Sequence, residues 1–348
     1  MRTITDAQKQ TLEDLSAQGL LLGLPVQTAE KDIHITELLK GLSTLQVHHD
    51  LFSDLDTRKE PVRHDEGIQL VFAGGTCLSK AHRLINRMSE DIDIKVLLAP
   101  TTKPLKKGRG DRMRLKALHE LIPKLLEELG FPLLEYGEGV DNPRIRDAHR
   151  YYVVGAGYQT AYAEFPSLRP ELKLELIQRQ PLLPLERREF GYLHEALARL
   201  PATTALNIDC ISVAETAAEK VVSLLRRCAY KWGGHQNKGE MDPALVRHVY
   251  DVACIAELSP DSLRAAREIF PLLVNNDREE FRGQNPDFDA DPVAVLTRTL
   301  SAAKSNGELK DRYTRNLMPL VYDMDPPSFE QSFASFEAVA QDFLAECR

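Results

Sequence analysis

Asp91 and Asp93, one residue apart, open the alternating stretch Asp91-Ile92-Asp93-Ile94-Lys95-Val96-Leu97. Along a strand successive side chains point to opposite faces, so Asp91, Asp93 and Lys95 share one face and Ile92, Ile94 and Val96 the other. Two carboxylates so placed supply hard oxygen ligands for one or two divalent cations. An isolated Asp-x-Asp could equally be the watered edge of a strand, and the residues upstream favour the first reading. Ile68-Gln69-Leu70-Val71-Phe72-Ala73 is short and apolar, as a buried strand is, and Gly74-Gly75 ends it. From Thr76 to about Met88 the apolar positions Cys77, Leu78, Ala81, Leu84, Ile85 and Met88 recur at helical spacing.

A strand, a Gly-Gly-Thr turn and a helix make a place where bare backbone approaches a phosphate, with helix amides and the Thr76 hydroxyl aimed at it. Lys80, one helical turn on, could add positive charge. By itself a Gly-Gly pair only shapes a turn. The spacing matters more: one helix followed by a strand starting at Asp91 returns the carboxylates beside the turn. Phosphate and metal then share one corner of a sheet.

Further elements must hold that corner in place. Thr5 to about Leu51 reads as helices broken at Gly23-Leu24-Pro25, and Leu115, Leu118, Leu121, Leu125 and Leu129 lie on another helix. Tyr151–Tyr158 and Leu172–Ile177 read as strands, the second placing Glu171, Lys173 and Glu175 on one face. Beyond Pro181 and Pro184 the composition changes, and Val213–Tyr230, Pro243–Leu258, Leu263–Leu273, Pro292–Lys304 and Ser328–Cys347 read as helices. The expected fold class is α/β, more strictly α+β. A core with a small mixed sheet over residues 67–204 is flanked by an N-terminal helical segment, 1–66, and a helical C-terminal domain, 205–348.

Bulk properties narrow the field. At 348 residues, 43% of them hydrophobic, the chain has material for two folded domains and little room for disorder. A net charge of -8 means that any nucleic-acid contact comes from a local basic patch. Lys103, Lys106, Lys107, Arg109, Arg112, Arg114 and Lys116 form one such stretch. It is either an arm for RNA phosphates or a solvated loop, and it has no interleaved aromatics for stacking bases. The five cysteines show no CxxC pair, no secretory leader precedes them, and no apolar run reaches the ~20 residues that span a bilayer, so a cytoplasmic, reduced, membrane-free protein is expected. HExxH, GxSxG and GxxxxGK[ST] patterns are absent, which sets aside zincins, triad hydrolases and P-loop NTPases.

Glycine turn, helix, Asp-x-Asp strand and a third acid on a later strand is the order of parts in DNA polymerase beta-type nucleotidyltransferases. Gly74-Gly75-Thr76-Cys77-Leu78-Ser79-Lys80-Ala81, Ser89-Glu90-Asp91-Ile92-Asp93-Ile94, Ala218-Glu219-Lys220 and Arg247-His248-Val249-Tyr250-Asp251 resemble the motif series of the AbiEii/AbiGii toxin nucleotidyltransferases. Glu30-Lys31-Asp32-Ile33 and Leu172-Lys173-Leu174-Glu175-Leu176 resemble weaker segments of that family. His248 and Cys77 depart from its usual pattern, and after about Pro260 no motif is recognisable.

The resemblance implies Asp91 and Asp93 as ligands of Mg2+ or Mn2+, and Gly74, Gly75, Thr76, Lys80 and Ser89 around a nucleoside triphosphate. Glu175 is the candidate third acid; a surface Glu paired with Lys173 is the alternative. Lys220 is a candidate cation for the triphosphate; pairing with Glu219 or Glu215 on a solvated face is the alternative. Asp251, a helical acid among apolar neighbours, needs a partner, for which Lys220 is the candidate. The implied activity is transfer of a nucleoside monophosphate to an acceptor hydroxyl, with RNA or tRNA as the acceptor, in a toxin–antitoxin or phage-defence pair with a cognate antitoxin. The alternatives are a protein or small-molecule acceptor such as an antibiotic, or a silent nucleotide- or RNA-binding module.

Overall fold

The computed structural model describes residues 1–47, 49–51, 62–64, 67–100, 109–134, 145–163, 168–235 and 243–347. The chain forms two compact units. The first comprises Met1–Ala81, Ser89–Gln180 and Leu185–Cys210; the second comprises His82–Met88, Pro181–Pro184 and Ile211–Arg348.

The first unit runs α1 (Asp6–Ala17), α2 (Val26–Thr44), β1 (His49–Leu51), β2 (Val62–His64), β3 (Ile68–Ala73), α3 (Gly74–Lys80), β4 (Asp91–Leu98), α4 (Arg109–Glu128), β5 (Leu133–Leu134), β6 (Ile145–Arg146), β7 (Tyr151–Gly157), β8 (Glu171–Gln178), β9 (Glu186–Phe190), α5 (Leu193–Leu197) and β10 (Leu206–Cys210). Its main sheet is mixed, in the order β5-β7-β8-β4-β3-β10-β9, with β6 on β7. The short β1–β2 ladder stands apart. β4 pairs antiparallel with β3 and parallel with β8, and β7 runs antiparallel to β8.

Register gives the sheet two unlike faces. Phe72, Ile92, Ile94, Val96, Leu172, Leu174, Leu176, Tyr152, Val154 and Ala156 share one face and are all buried. Helices seat on it: His119 of α4 stacks on Tyr152 with ring centroids 4.3 Å apart, and His34 of α2 lies 4.3 Å from Tyr158. The other face carries Asp91, Asp93, Lys95, Lys173 and Glu175, as the alternation predicts. The mixed α and β architecture expected from sequence is the one observed.

One local expectation is corrected, and one strand was not foreseen. The helix predicted from Thr76 to Met88 stops at Lys80: Arg83 takes φ +55, and Met88 and Tyr322 use their amides on Leu320 and Asn86 instead. Apolar spacing alone had suggested continuation. The polar-looking Glu186–Phe190 is also a strand, paired in full register with β10. Alternation of charged residues there hid a partly exposed ladder.

The second unit is helical: α6 (Val213–Trp232), α7 (Arg247–Leu258), α8 (Ser262–Glu280), α9 (Pro286–Ala290), α10 (Pro292–Ala303), α11 (Gly307–Arg312) and α12 (Phe329–Glu346). Ser212 and Ser328 cap α6 and α12 through their hydroxyls, and Asp291 caps α10 ahead of Pro292. Phe270, Phe288, Phe336 and Phe343 fill its core. Among the described residues no helix is long and apolar enough to cross a membrane.

Candidate functional site

Gly74 holds φ +74, a conformation that costs a residue with a side chain. A Cβ there would also lie 2.7 Å from Cγ of Asp93, so the glycine makes room for that carboxyl group. The antiparallel register Ala73↔Asp93 brings the turn and the acid together. Gly75 and Thr76 are buried in the first turn of α3. The Thr76 hydroxyl donates to the Asp91 carbonyl and lies 3.5 Å from the carbonyl of Ser89, itself buried. Its observed role is therefore to tie the glycine turn to the start of β4.

Parallel pairing sets Asp91 beside Lys173 and Asp93 beside Glu175. Lys173 is ion-paired with Glu175 and stands 3.8 Å from Asp91 Oδ1. Burial pulls the Lys173 ammonium down, but Asp91 and Glu175 outweigh it and hold the group above an ordinary lysine. Three acids and one lysine thus form a charged patch on the polar face. Among the described residues no three His, Cys, Asp or Glu side chains converge closely enough to hold a metal alone. Two carboxylates plus phosphate oxygens of a bound nucleotide are the donor set that Mg2+ accepts, and Asp91 and Asp93 fit it.

Three consecutive charged residues of α2 are buried, and two of them brace this corner from inside the core. Glu30 accepts from the Ala161 amide at 2.7 Å and the Thr160 hydroxyl at 2.8 Å. Lys31, fully buried, donates to Glu90 at 2.7 Å, immediately before Asp91, and to the Arg169 carbonyl at 3.0 Å. Asp32 pairs with Lys80 and accepts the Leu193 amide at 2.7 Å. Lys80 is thus engaged in a buried ion pair, with its ammonium also over the Phe190 ring. Burial lowers the Lys31 pKa, and Glu90 opposes that shift.

Lys220 and Asp251 lie in the second unit and pair at 2.7 Å, as the sequence suggested. Sequence reasoning missed the stronger partner: Arg87 grips Asp251 with Nε and Nη2, each at 2.7 Å. Burial would raise the Asp251 carboxyl, but Arg87 first and then Lys220 hold it far below the usual carboxylate range. His248, buried beside them, is kept neutral by burial and by the positive charge of Lys220. An acid in an apolar helix signalled a cation; Arg87 was overlooked because its segment looked like a helix surface.

Of the basic stretch, Lys103, Lys106 and Lys107 fall outside the described residues. Arg112, Arg114 and Lys116 lie on α4, where Arg114 is buried and bonds the Ala99 carbonyl and Asp111. Cys77 is buried with Cys210 nearby, and all five cysteines are free thiols.

A mixed sheet with a glycine turn feeding an Asp-x-Asp strand, followed by helices, has the parts of a nucleotidyltransferase. The family model for the nucleotidyl transferase AbiEii toxins of type IV toxin–antitoxin systems matches residues 61–335, and the chain belongs to that family. Among solved structures, MenT4, a nucleotidyltransferase toxin from Mycobacterium tuberculosis H37Rv, aligns over 99% of both chains with 19% identity and a TM-score of 0.49. JHP933 from Helicobacter pylori aligns over 93% of this chain and 94% of its own with 14% identity and a TM-score of 0.36. No curated protein sequence matches at a significant level.

Proposed function

We propose that the protein transfers a nucleoside monophosphate from a nucleoside triphosphate to an acceptor hydroxyl on RNA, tRNA above all, in the cytoplasm, and that a cognate antitoxin restrains it. The observation that carries this reading is the shared face of Asp91 and Asp93, in register with Glu175 and beside a glycine turn that leaves room for the Asp93 carboxylate.

Asp91 and Asp93 would hold Mg2+ or Mn2+, which when bound polarises phosphoryl oxygens and offsets the charge of the departing pyrophosphate. Gly74 and Gly75 present backbone to the phosphates, and Thr76 and Ser89 fix the turn against β4. Glu175, adjacent to Asp93, takes the proton of the attacking hydroxyl or orients that hydroxyl. Lys173 places a positive charge between Asp91 and Glu175. Within the second unit, Asp251 holds the Lys220 ammonium in place.

Each labelled triphosphate, incubated with the protein, Mg2+ or Mn2+ and total RNA, tests the reading. Label in RNA is expected. Label in the protein alone redirects the acceptor to a protein hydroxyl, and no label with any triphosphate and either cation overturns enzymatic transfer in favour of a binding module. Asp93→Asn should abolish labelling with an unchanged circular dichroism spectrum; wild-type labelling by that variant would dismiss the metal site.

A further inference from the structure

The polar face of the sheet continues outward beyond the acids. Register aligns Lys95 with Ile177, Ile177 with Tyr151, and Tyr151 with Arg146, a row next to that of Asp93, Glu175 and Val153. Tyr151 and Arg146 therefore belong to the acid-bearing face. Two strand spacings across and two residues along put the Tyr151 backbone roughly 12 Å from that of Asp93.

The Arg146 guanidinium lies over the Tyr151 ring, 3.9 Å from its centroid. Structural arginines usually end on a carboxylate, which repays the cost of ordering a long side chain. Arg146 has no carboxylate partner among the described residues, and its buried Nε donates to nothing. Tyr151 is part-exposed, and burial first, then Glu175, keeps its phenol protonated. A flat aromatic and a planar cation lying over it, with no carboxylate partner among the described residues, share the acid-bearing face.

We propose that Arg146 and Tyr151 form a nucleotide clamp, in which the stacked pair receives an unpaired nucleobase and the guanidinium edge takes the adjoining phosphate. The proposal rests on the polar face being the transfer site. Unpaired bases are recognised by stacking on aromatic rings and on guanidinium planes, and a fork of N–H donors matches phosphate oxygens. The base can belong to the acceptor RNA or to the donor triphosphate, since both present a base and a phosphate.

Fluorescence anisotropy of the full chain with a fluorescein-labelled single-stranded oligoribonucleotide, and competition by each triphosphate, reads the clamp without turnover. Tyr151→Ala should weaken one or both ligands roughly five- to a hundredfold, the range that follows loss of one base stack. Tyr151→Phe, which keeps the ring, should bind within about twofold of wild type. Arg146→Gln should weaken binding and, for RNA, lower the slope of log affinity against log salt by about one. Loss confined to RNA assigns the clamp to the acceptor, and loss confined to triphosphate assigns it to the donor base. Unchanged affinity for both ligands in Tyr151→Ala and Arg146→Gln overturns the proposal, as does a wild type that binds neither. If Tyr151→Ala does not fold, Arg146→Gln decides. Clamp-dependent binding without label transfer would sink the enzymatic reading and leave the clamp standing; label transfer with unchanged binding would do the reverse.

Discussion

Replacing Asp251 by Asn keeps the shape of the side chain and removes one buried charge from between two cations. Arg87 and Lys220 would be left with side chains only 2% and 8% exposed, facing an amide that cannot neutralise either. Breaking a buried ion pair costs about 3–5 kcal/mol, and leaving two like charges together places Asp251→Asn near about 5 kcal/mol. Arg87→Met leaves Asp251 paired with Lys220, and Lys220→Met leaves it in the Arg87 fork. The smaller expected losses are about 3 and about 2 kcal/mol. The protein has a single tryptophan, Trp232, on the same helix as Lys220, so its fluorescence follows this unit during urea unfolding. With a slope of about 2 kcal/mol per molar urea, Asp251→Asn should unfold about 2.5 M earlier. Equal shifts for the three variants, or a loss below about 1 kcal/mol for Asp251→Asn, would refute the picture of a sequestered carboxylate holding two cations.

Gly74→Ala should cost about 1–2 kcal/mol of stability from the left-handed backbone alone, and more in activity, because the new methyl displaces the Asp93 carboxyl group; thermal melts and the labelling assay separate the two effects. Thr76→Val removes the hydroxyl that ties the turn to Asp91 and should lower melting stability by about 1–2 kcal/mol while impairing transfer further. Burial lowers His34 to about 3 and His119 to about 4, so both are neutral in the fold and charge first in the unfolded chain. The stability contributed by these two histidines should be constant above about pH 6.5 and fall below it, by about 1.4 kcal/mol per pH unit for each histidine, until the folded values are reached. His34→Phe should flatten this acid limb in melts between neutral and mildly acid pH; an unchanged slope would mean that His34 is already charged.

The acid strand, the glycine turn and the Lys220–Asp251 pair were legible because each depends on short-range pattern: alternation, a glycine pair, an acid among apolar neighbours. What was not legible needed partners far along the chain. Glu30, Lys31 and Asp32 look like the polar face of a helix, yet all three are buried, because their partners come from residues 160–161, 90 and 80. Arg87 finds Asp251 across 164 positions, and no local periodicity reports such a match. β9 escaped notice because Glu186, Arg187, Arg188 and Glu189 look like a charged loop until their ladder with β10 is seen.

The excursion of His82–Met88 into the second unit bears on how the protein is made. It falls between the glycine turn and the Asp-x-Asp strand, so no contiguous stretch of the gene encodes either unit. A nascent chain that has completed β4 still holds Arg87 in solvent, and its buried fork to Asp251 cannot form until residue 251 has been synthesised. A product cut short after the sheet would keep every proposed metal ligand and still lack the counter-charge for the segment leading into them. For a toxin, that ordering delays completion of the segment until most of the chain exists.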